Sequence, residues 1–420
     1  MMENKDLHTA YETPSTARTR QNSTNGQRQT GSVSYGRPTG GGRRRRKKSA
    51  PLTPGRVVLR VLACLLAFIL MLVATLYFGL GMLCSGEIEE DGNISEILYI
   101  TVPTFLETGA FKFIPSMYLS SSEIQTIVNS NKMSAMDAKV DEGLISIGST
   151  AKKGTLDIDV SADASSDVGN VGEGEAVEIH EVSGSTYYGT MMIVKDPSRV
   201  SLATIYPWRD EGVTLDELVN SNGAIAGING GLYASNGNTG GRPYGVIVSN
   251  GEIQMNDPAS FAGLVLVGFT ESNILQIIDL SGMTPADVET LVKEKKIRDA
   301  VTFQDEASDA NNHFVQLIIN DETREMNGMG SGLNPRTAIG QRADGAVLMF
   351  VTDGRGKNGH LGASAADLIE VMREYGAVNA ANLDGGSSSC MYYDGDYLMT
   401  SVTFYYSNSS WKLPAGFIVK

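Results

Sequence analysis

The run from Ala346 to Leu383 limits the fold more than any other part of this 420-residue chain. Ala346 to Val351 is a short apolar stretch between turn signals and is expected as a buried strand. Ser364 is placed as an N-cap, Asp367 lies three residues on, and Leu368, Ile369, Met372 and Tyr375 follow at helical spacing. Gly376 stands where a helix-ending glycine belongs, and Val378 to Leu383 is a second candidate buried strand. Strand, helix and strand with a crossover of this length make a βαβ unit, so the two strands should run parallel.

Parallel strands bring their carboxyl ends to one edge of a sheet, where ligands of α/β proteins gather. Asp353 ends the first strand and Asp384 the second, and each is followed by glycine, at Gly354 and at Gly385 and Gly386. A DG pair alone is a common turn. Two of them at matched strand ends, beside the run Ser387 to Ser389, point instead to two carboxylates facing one cleft.

Charge divides the chain. Residues 1–60 hold 13 Lys and Arg against 3 Asp and Glu, whereas the remaining 360 hold 21 against 45. An acidic body argues against nucleic acid, which needs a basic face. Val61 to Leu83 carries no charge, long enough to span a bilayer, and follows Arg43 to Lys48, Arg56 and Arg60. The basic flank predicts a cytoplasmic N-terminus and an extracellular body, at the cell surface on a single-pass membrane anchor. Leu83 before Cys84 is too large for a lipoprotein cleavage site. One cysteine, Cys390, lies in the body, so no internal disulfide framework is expected.

The expected organisation is a disordered basic tail over 1–55, a transmembrane helix over 56–84, a stalk over 85–150 and a linker over 151–175. A mixed α/β body then fills 176–420. Within it, Thr190–Lys195, Val200–Ile205, Ala224–Ile228, Leu264–Phe269 and Phe314–Ile319 are expected strands. Thr214–Glu217 is a candidate capping box, and Thr284-Pro285 opens a helix to about Ile297. Asn250-Gly251 is a hairpin turn inside Tyr244–Met255.

Five motifs fall in order: NGGLY from Asn229, GRPYGVIVSNGEI from Gly241, NPRTAIG from Asn334, VTDGRG from Val351 and NLDGGSSS from Asn382. Together they resemble the phosphodiester glycosidase family, over about residues 176–420. Ser387 stands where that family often has a third glycine. The resemblance implies hydrolysis of a sugar-1-phosphodiester, with a phosphosugar or cell-surface glycopolymer as substrate.

The residues support that chemistry separately. A phosphate leaving group is already a weak base and needs little proton donation, so the site needs cations or amides on the phosphate and a carboxylate near the anomeric carbon. Arg336 is a candidate for paired contacts to phosphate. Gly385, Gly386 and Ser387 are candidates for an amide nest. Asp353 or Asp384 can stabilise an oxocarbenium-like transition state, act as nucleophile or activate water. Asn229, Gly230 and Arg355 are candidate substrate-binding residues, and His360 a lesser candidate for acid–base work.

Asp353, Asp384 and Asn229 are hard oxygen donors, but no dense Asp/Asn loop or His pair accompanies them, so neither a catalytic metal nor a cofactor is expected. No G-x-S-x-G elbow is present for a serine hydrolase. The rival from another class is a non-catalytic module that binds an anionic glycopolymer in the same pocket.

Overall fold

The computed structural model describes residues 53–88, 94–109, 111–148, 177–306, 313–403 and 408–420. The expected basic tail and the expected linker therefore lie outside the described residues, apart from the last residues of the tail. Contacts divide the chain into two units, Met1–Leu66 and Ala67–Lys420. Helix α1, Pro54–Leu83, is long and apolar enough to cross a membrane.

Among the described residues the body holds three larger sheets. The seven-stranded sheet has, in spatial order, Val177–Ser183, Tyr188–Val194, Val347–Thr352, Thr337–Arg342, Ala377–Asn382, Gln316–Ile319 and Glu322–Thr323. Its centre explains the βαβ signal. Val347–Thr352 and Ala377–Asn382 each pair antiparallel with Thr337–Arg342, so they run in the same direction with that strand between them. Asp353 and Asp384 do reach the same edge, but two strand spacings apart, roughly 10 Å.

The central strands are buried on both faces, which is why they read as unbroken apolar runs. Val347, Met349 and Val351 face one core, while Leu348 and Phe350 face another. The second core is closed by helix α6, Ala365–Glu374, through Leu368, Ile369 and Met372. The expected cap is present: Ser364 accepts from the Asp367 amide, and Asp367 accepts from the Ser364 amide at 2.7 Å.

A five-stranded antiparallel sheet centres on Leu264–Thr270 and Ile297–Gln304, and Phe269 from it packs edge-on against Phe417 at 6.1 Å. It contains the expected hairpin, with Asn250 and Gly251 both at positive φ as a primed turn requires. Helix α5, Pro285–Lys295, covers it and begins at the Thr284 capping box. The third sheet orders Asp396–Met399, Met391–Tyr393, Ala226–Asn229, Ala415–Val419 and Val200–Thr204. Helix α4, Leu215–Ser221, packs on it; Thr214 precedes it as expected but makes no side-chain capping bond.

The segment expected as a stalk is folded onto the body. Helix α2 spans Glu96–Glu107 and helix α3 Ser121–Ser130, and they meet through Leu98, Val102 and Ile127. Pro103 inside α2 deprives the Tyr99 carbonyl of its helical donor, and the Asn131 side-chain amide supplies one at 3.0 Å. Met133 is buried in the core with Phe314 and α6, and the Ser134 and Ser146 amides donate to Glu325 and Ala343 carbonyls at 2.8 Å. These contacts are too buried for a spacer.

Candidate active site

Along the sheet edge where the strands ending at Thr352 and Asn382 finish lies a cleft of about 240 Å³. Asp384, Arg336, Arg355 and the Gly385–Ser388 turn line it, with Tyr233, Phe303 and Phe314 as aromatic walls. Four of the five sequence motifs thus line one cleft; GRPYGVIVSNGEI does not, and reaches it through the pairing of Pro243 with Tyr233.

Asp384 opens onto the cleft but is walled by protein. Burial pushes its carboxyl up to about 7, against the opposing pull of Ser388, the Gly385 amide and the Arg355 charge. Asn229 anchors it from behind: its side-chain amide donates to the Asp384 carbonyl at 2.6 Å, while its own oxygen accepts from Thr337 Oγ1 and the Cys390 amide. Asn229 is 1 % exposed and does not line the cleft, so its side chain supports the Asp384 turn from within the protein. Gly230 behaves likewise; a Cβ there would stand 3.0 Å from the Ala415 carbonyl oxygen, and its carbonyl accepts weakly from the Asp384 amide.

Arg355 lies over the turn. Its backbone is left-handed, at φ 54°, an uncommon state for arginine that the surrounding loop must enforce. Bonds from the Arg355 amide to Leu361 and from the Gly356 amide to His360 close that loop. The guanidinium end sits against Gly386, where a Cβ would come within 2.5 Å of Nη2 and where φ is 63°, so a side chain there would strain the backbone and displace the guanidinium. Burial and the nearby Arg336 charge draw the Arg355 pKa down to about 10, with Asp384 acting the other way; the group remains charged at neutral pH.

Arg336 is already engaged. It forms a buried ion pair with Glu107 at 2.5 Å, and the same nitrogen donates to Ser331 Oγ and the Gly332 carbonyl. Its Nε donates to the Ala363 carbonyl, and its charge lies 4.9 Å from the centre of the Phe314 ring. The paired grip on phosphate expected of Arg336 therefore meets a guanidinium whose main donors point into protein. Arg355 is the better placed cation. The expected amide nest is also incomplete: the Gly386 amide turns to the Pro335 carbonyl at 2.8 Å, and Gly385 serves Asp384 itself.

Asp353 is 1 % exposed and does not line the cleft. It accepts from the Tyr188 amide at 2.9 Å and meets His360 Nδ1 at 2.7 Å. Through His360 it pins the 354–361 loop that carries Arg355. Cys390 is fully buried, and burial raises its thiol pKa, as for an inert small hydrophobe.

Sequence reading missed Glu107, which sits in a segment taken as a stalk. One signal was present: an acid in the last turn of a helix opposes the helix dipole and so implies a specific cation nearby. Tyr233 was also missed as a wall residue. Its hydroxyl is 2.9 Å from Ser388 Oγ, which links the NGGLY motif to the Asp384 turn.

A profile of phosphodiester glycosidases matches residues 222–420, a span that includes Asp384, Arg336, Arg355 and the turn after Asp384. Over these residues the chain is similar to the phosphodiester glycosidase family. A mouse N-acetylglucosamine-1-phosphodiester alpha-N-acetylglucosaminidase is 30 % identical over 102 residues, 24 % of this chain and 19 % of that protein. A Bacillus subtilis prophage-derived uncharacterized protein, YomE, is 40 % identical over 65 residues, 16 % of this chain and 10 % of that protein. The chain thus spans less than a fifth of the length of these curated relatives. Among solved structures, the catalytic domain of the zebrafish N-acetylglucosamine-1-phosphodiester alpha-N-acetylglucosaminidase aligns over 58 % of this chain and 81 % of its own, at 16 % identity and a TM-score of 0.44. A hypothetical protein from Synechocystis aligns over 57 % and 61 %, at 16 % identity and a TM-score of 0.38.

Proposed function

We propose that this chain hydrolyses a sugar-1-phosphodiester, releasing free sugar and a phosphate monoester. The observation that carries the reading is the pairing of a carboxyl lifted to about 7 with the charged Arg355 in one cleft. A base whose pKa lies near the working pH is matched to proton transfer at that pH. Asp384 takes a proton from water as the water oxygen bonds to the anomeric carbon. The anomeric carbon–oxygen bond breaks, and its electron pair leaves with the phosphate. Arg355 faces the negative charge that develops there, in a site shielded from bulk water. Asp353 and His360 act on the loop carrying Arg355, and Glu107 with Arg336 forms the wall beside it.

The setting we infer is the cell surface. α1 then serves as a single-pass anchor with its basic N-terminal flank in the cytoplasm, and the cleft faces a surface glycopolymer. The acidic body supports a substrate other than nucleic acid.

The test is release of N-acetylglucosamine from its methyl-phosphodiester by the full chain, with the Asp384→Asn chain alongside. Release from the first and not the second is the expected result. Tight binding of the ester without release would instead favour a glycopolymer-binding module. Protease added to intact cells should digest the body and spare the N-terminus; a protected body would overturn the topology.

A further inference from the structure

Behind Arg355 lies a second cavity, of about 300 Å³, between α2 and the 354–361 loop. Arg355 lines both cavities; the rest of this wall is chiefly Phe105, Phe111, Leu333, Leu361 and Val402. We propose that this cavity receives the alcohol side of the substrate's phosphodiester, and that the alcohol is a long apolar chain, so that the substrate class is a lipid-linked sugar phosphate.

The inference rests on the phosphodiester reading of the neighbouring cleft. A phosphodiester has two arms, and Arg355 lines both cavities, so a phosphate placed at that guanidinium can direct one arm to Asp384 and the other towards the second cavity. The chemistry of the wall then selects the second arm. Two of its three threonine hydroxyls are turned inward: Thr104 Oγ1 donates to the Ile100 carbonyl and accepts from the Leu333 amide, and Thr108 Oγ1 donates to the Thr104 carbonyl. A sugar placed there would leave its own hydroxyls without partners, a desolvation cost, whereas a hydrocarbon chain needs none.

The wall is also tied to the reacting centre. The Arg355 amide donates to the Leu361 carbonyl at 3.0 Å, so the residue at the mouth of the cavity and the cation at the phosphate belong to one closed loop. Leu361 is 46 % exposed and Phe111 36 %, which leaves an apolar rim at the opening. In sequence, α2 follows α1 after one short segment, which holds the cavity within tether reach of a bilayer if α1 is the anchor.

The reaction balances as hydrolysis: sugar-1-phosphoryl alkyl ester and water give free sugar, the alkyl phosphate and a proton. No further reactant is needed.

The experiment compares the methyl and octyl esters of N-acetylglucosamine-1-phosphate, with the full chain in phospholipid nanodiscs and empty nanodiscs as reference. The octyl ester should show a kcat/KM at least tenfold above the methyl ester, chiefly through KM. In Leu361→Gln, whose exposed position spares the fold, that ratio should collapse towards one. Equal rates for the two esters in the unaltered chain, or an undiminished ratio in Leu361→Gln, would overturn the proposal. If neither ester is cleaved, the catalytic reading fails, and calorimetry with octyl and methyl phosphate still decides the cavity. Octyl phosphate binding at least tenfold tighter, and losing that margin in Leu361→Gln, supports it; equal affinities overturn it.

Discussion

The Glu107 carboxylate meets the Arg336 guanidinium at 2.5 Å, joining α2 to the strand that runs between the two aspartate-bearing strands. Both side chains are under a tenth exposed, and the second Glu107 oxygen accepts from the Gly332 amide at 2.6 Å. The pair brings a segment outside the family-matched region into the wall of the cleft.

Removing one partner leaves the other charge buried and unpaired. Glu107→Gln should therefore lower the free energy of unfolding by about 3 kcal/mol. Replacing both, with Glu107→Gln and Arg336→Met, should recover much of that loss, because neither charge then remains inside. Thermal unfolding of the three chains checks this; an unchanged Tm in the single variant would show that water reaches the pair.

Asp384→Asn should lower the rate by about a hundredfold or more, because it removes the base while nearly preserving shape. The pH dependence follows from the raised pKa. With Asp384 acting ionised, the rate should climb as pH rises through about 7, and that limb should vanish in the variant. Stability moves in the opposite sense. Between its ordinary value of 3.8 and about 7, the folded protein holds a proton that the unfolded chain has released, so this group's contribution falls as pH rises through that window. The stability of Asp384→Asn relative to the unaltered chain should grow across it and level off above 7. Rate profiles and denaturant titrations at several pH values measure both trends.

Arg355→Lys should cost rate with little change in stability, since a lysine keeps the charge but not the planar fork. Arg336→Lys should do the reverse, losing bonds to Glu107, Gly332 and Ala363 and the contact with Phe314. Measuring Tm and kcat/KM for both variants separates a ligand-facing cation from one that holds the wall. Equal effects on both quantities in both variants would contradict the assignment. Asp353→Asn should fall between them, acting through the 354–361 loop.

A chain beginning at Val177 should be markedly less stable than one beginning at Ser85. It lacks Met133 from the core, the Asn131 and Glu107 contacts with the 329–336 loop, and the backbone bonds from Ser134 and Ser146. Cooperative melting of both at the same temperature would show that 85–150 is merely a spacer.

What the sequence disclosed was local. The Val347–Thr352 strand, α6 and its Ser364 cap, the Asn250-Gly251 turn and the Thr284 cap each rest on residues a few positions apart, where periodicity and capping chemistry act. The Thr337–Arg342 strand was not legible. Its TAIGQR sequence holds a glycine and an arginine, and its neighbours on both sides set its state. The same limit applied to the site. Asp384 and Arg355 could be picked out by their motifs, but whether Arg336 faces a ligand or a carboxylate depended on Glu107, which lies 229 residues away. The acceptor of the Gly386 amide, Pro335, likewise lies in a different motif.

The Asn229 side chain reaches Thr337, the Asp384 carbonyl and the Cys390 amide across separations of 108, 155 and 161 residues. Contacts that distant close large loops of chain, an entropic cost that hairpins and capped helices do not carry. The Asp384 turn is therefore held in place by tertiary contacts and not by its own local sequence. An isolated NLDGGSSS segment would lack the Asn229 bond that fixes the Asp384 carbonyl, so the motif carries its chemistry only inside the folded body.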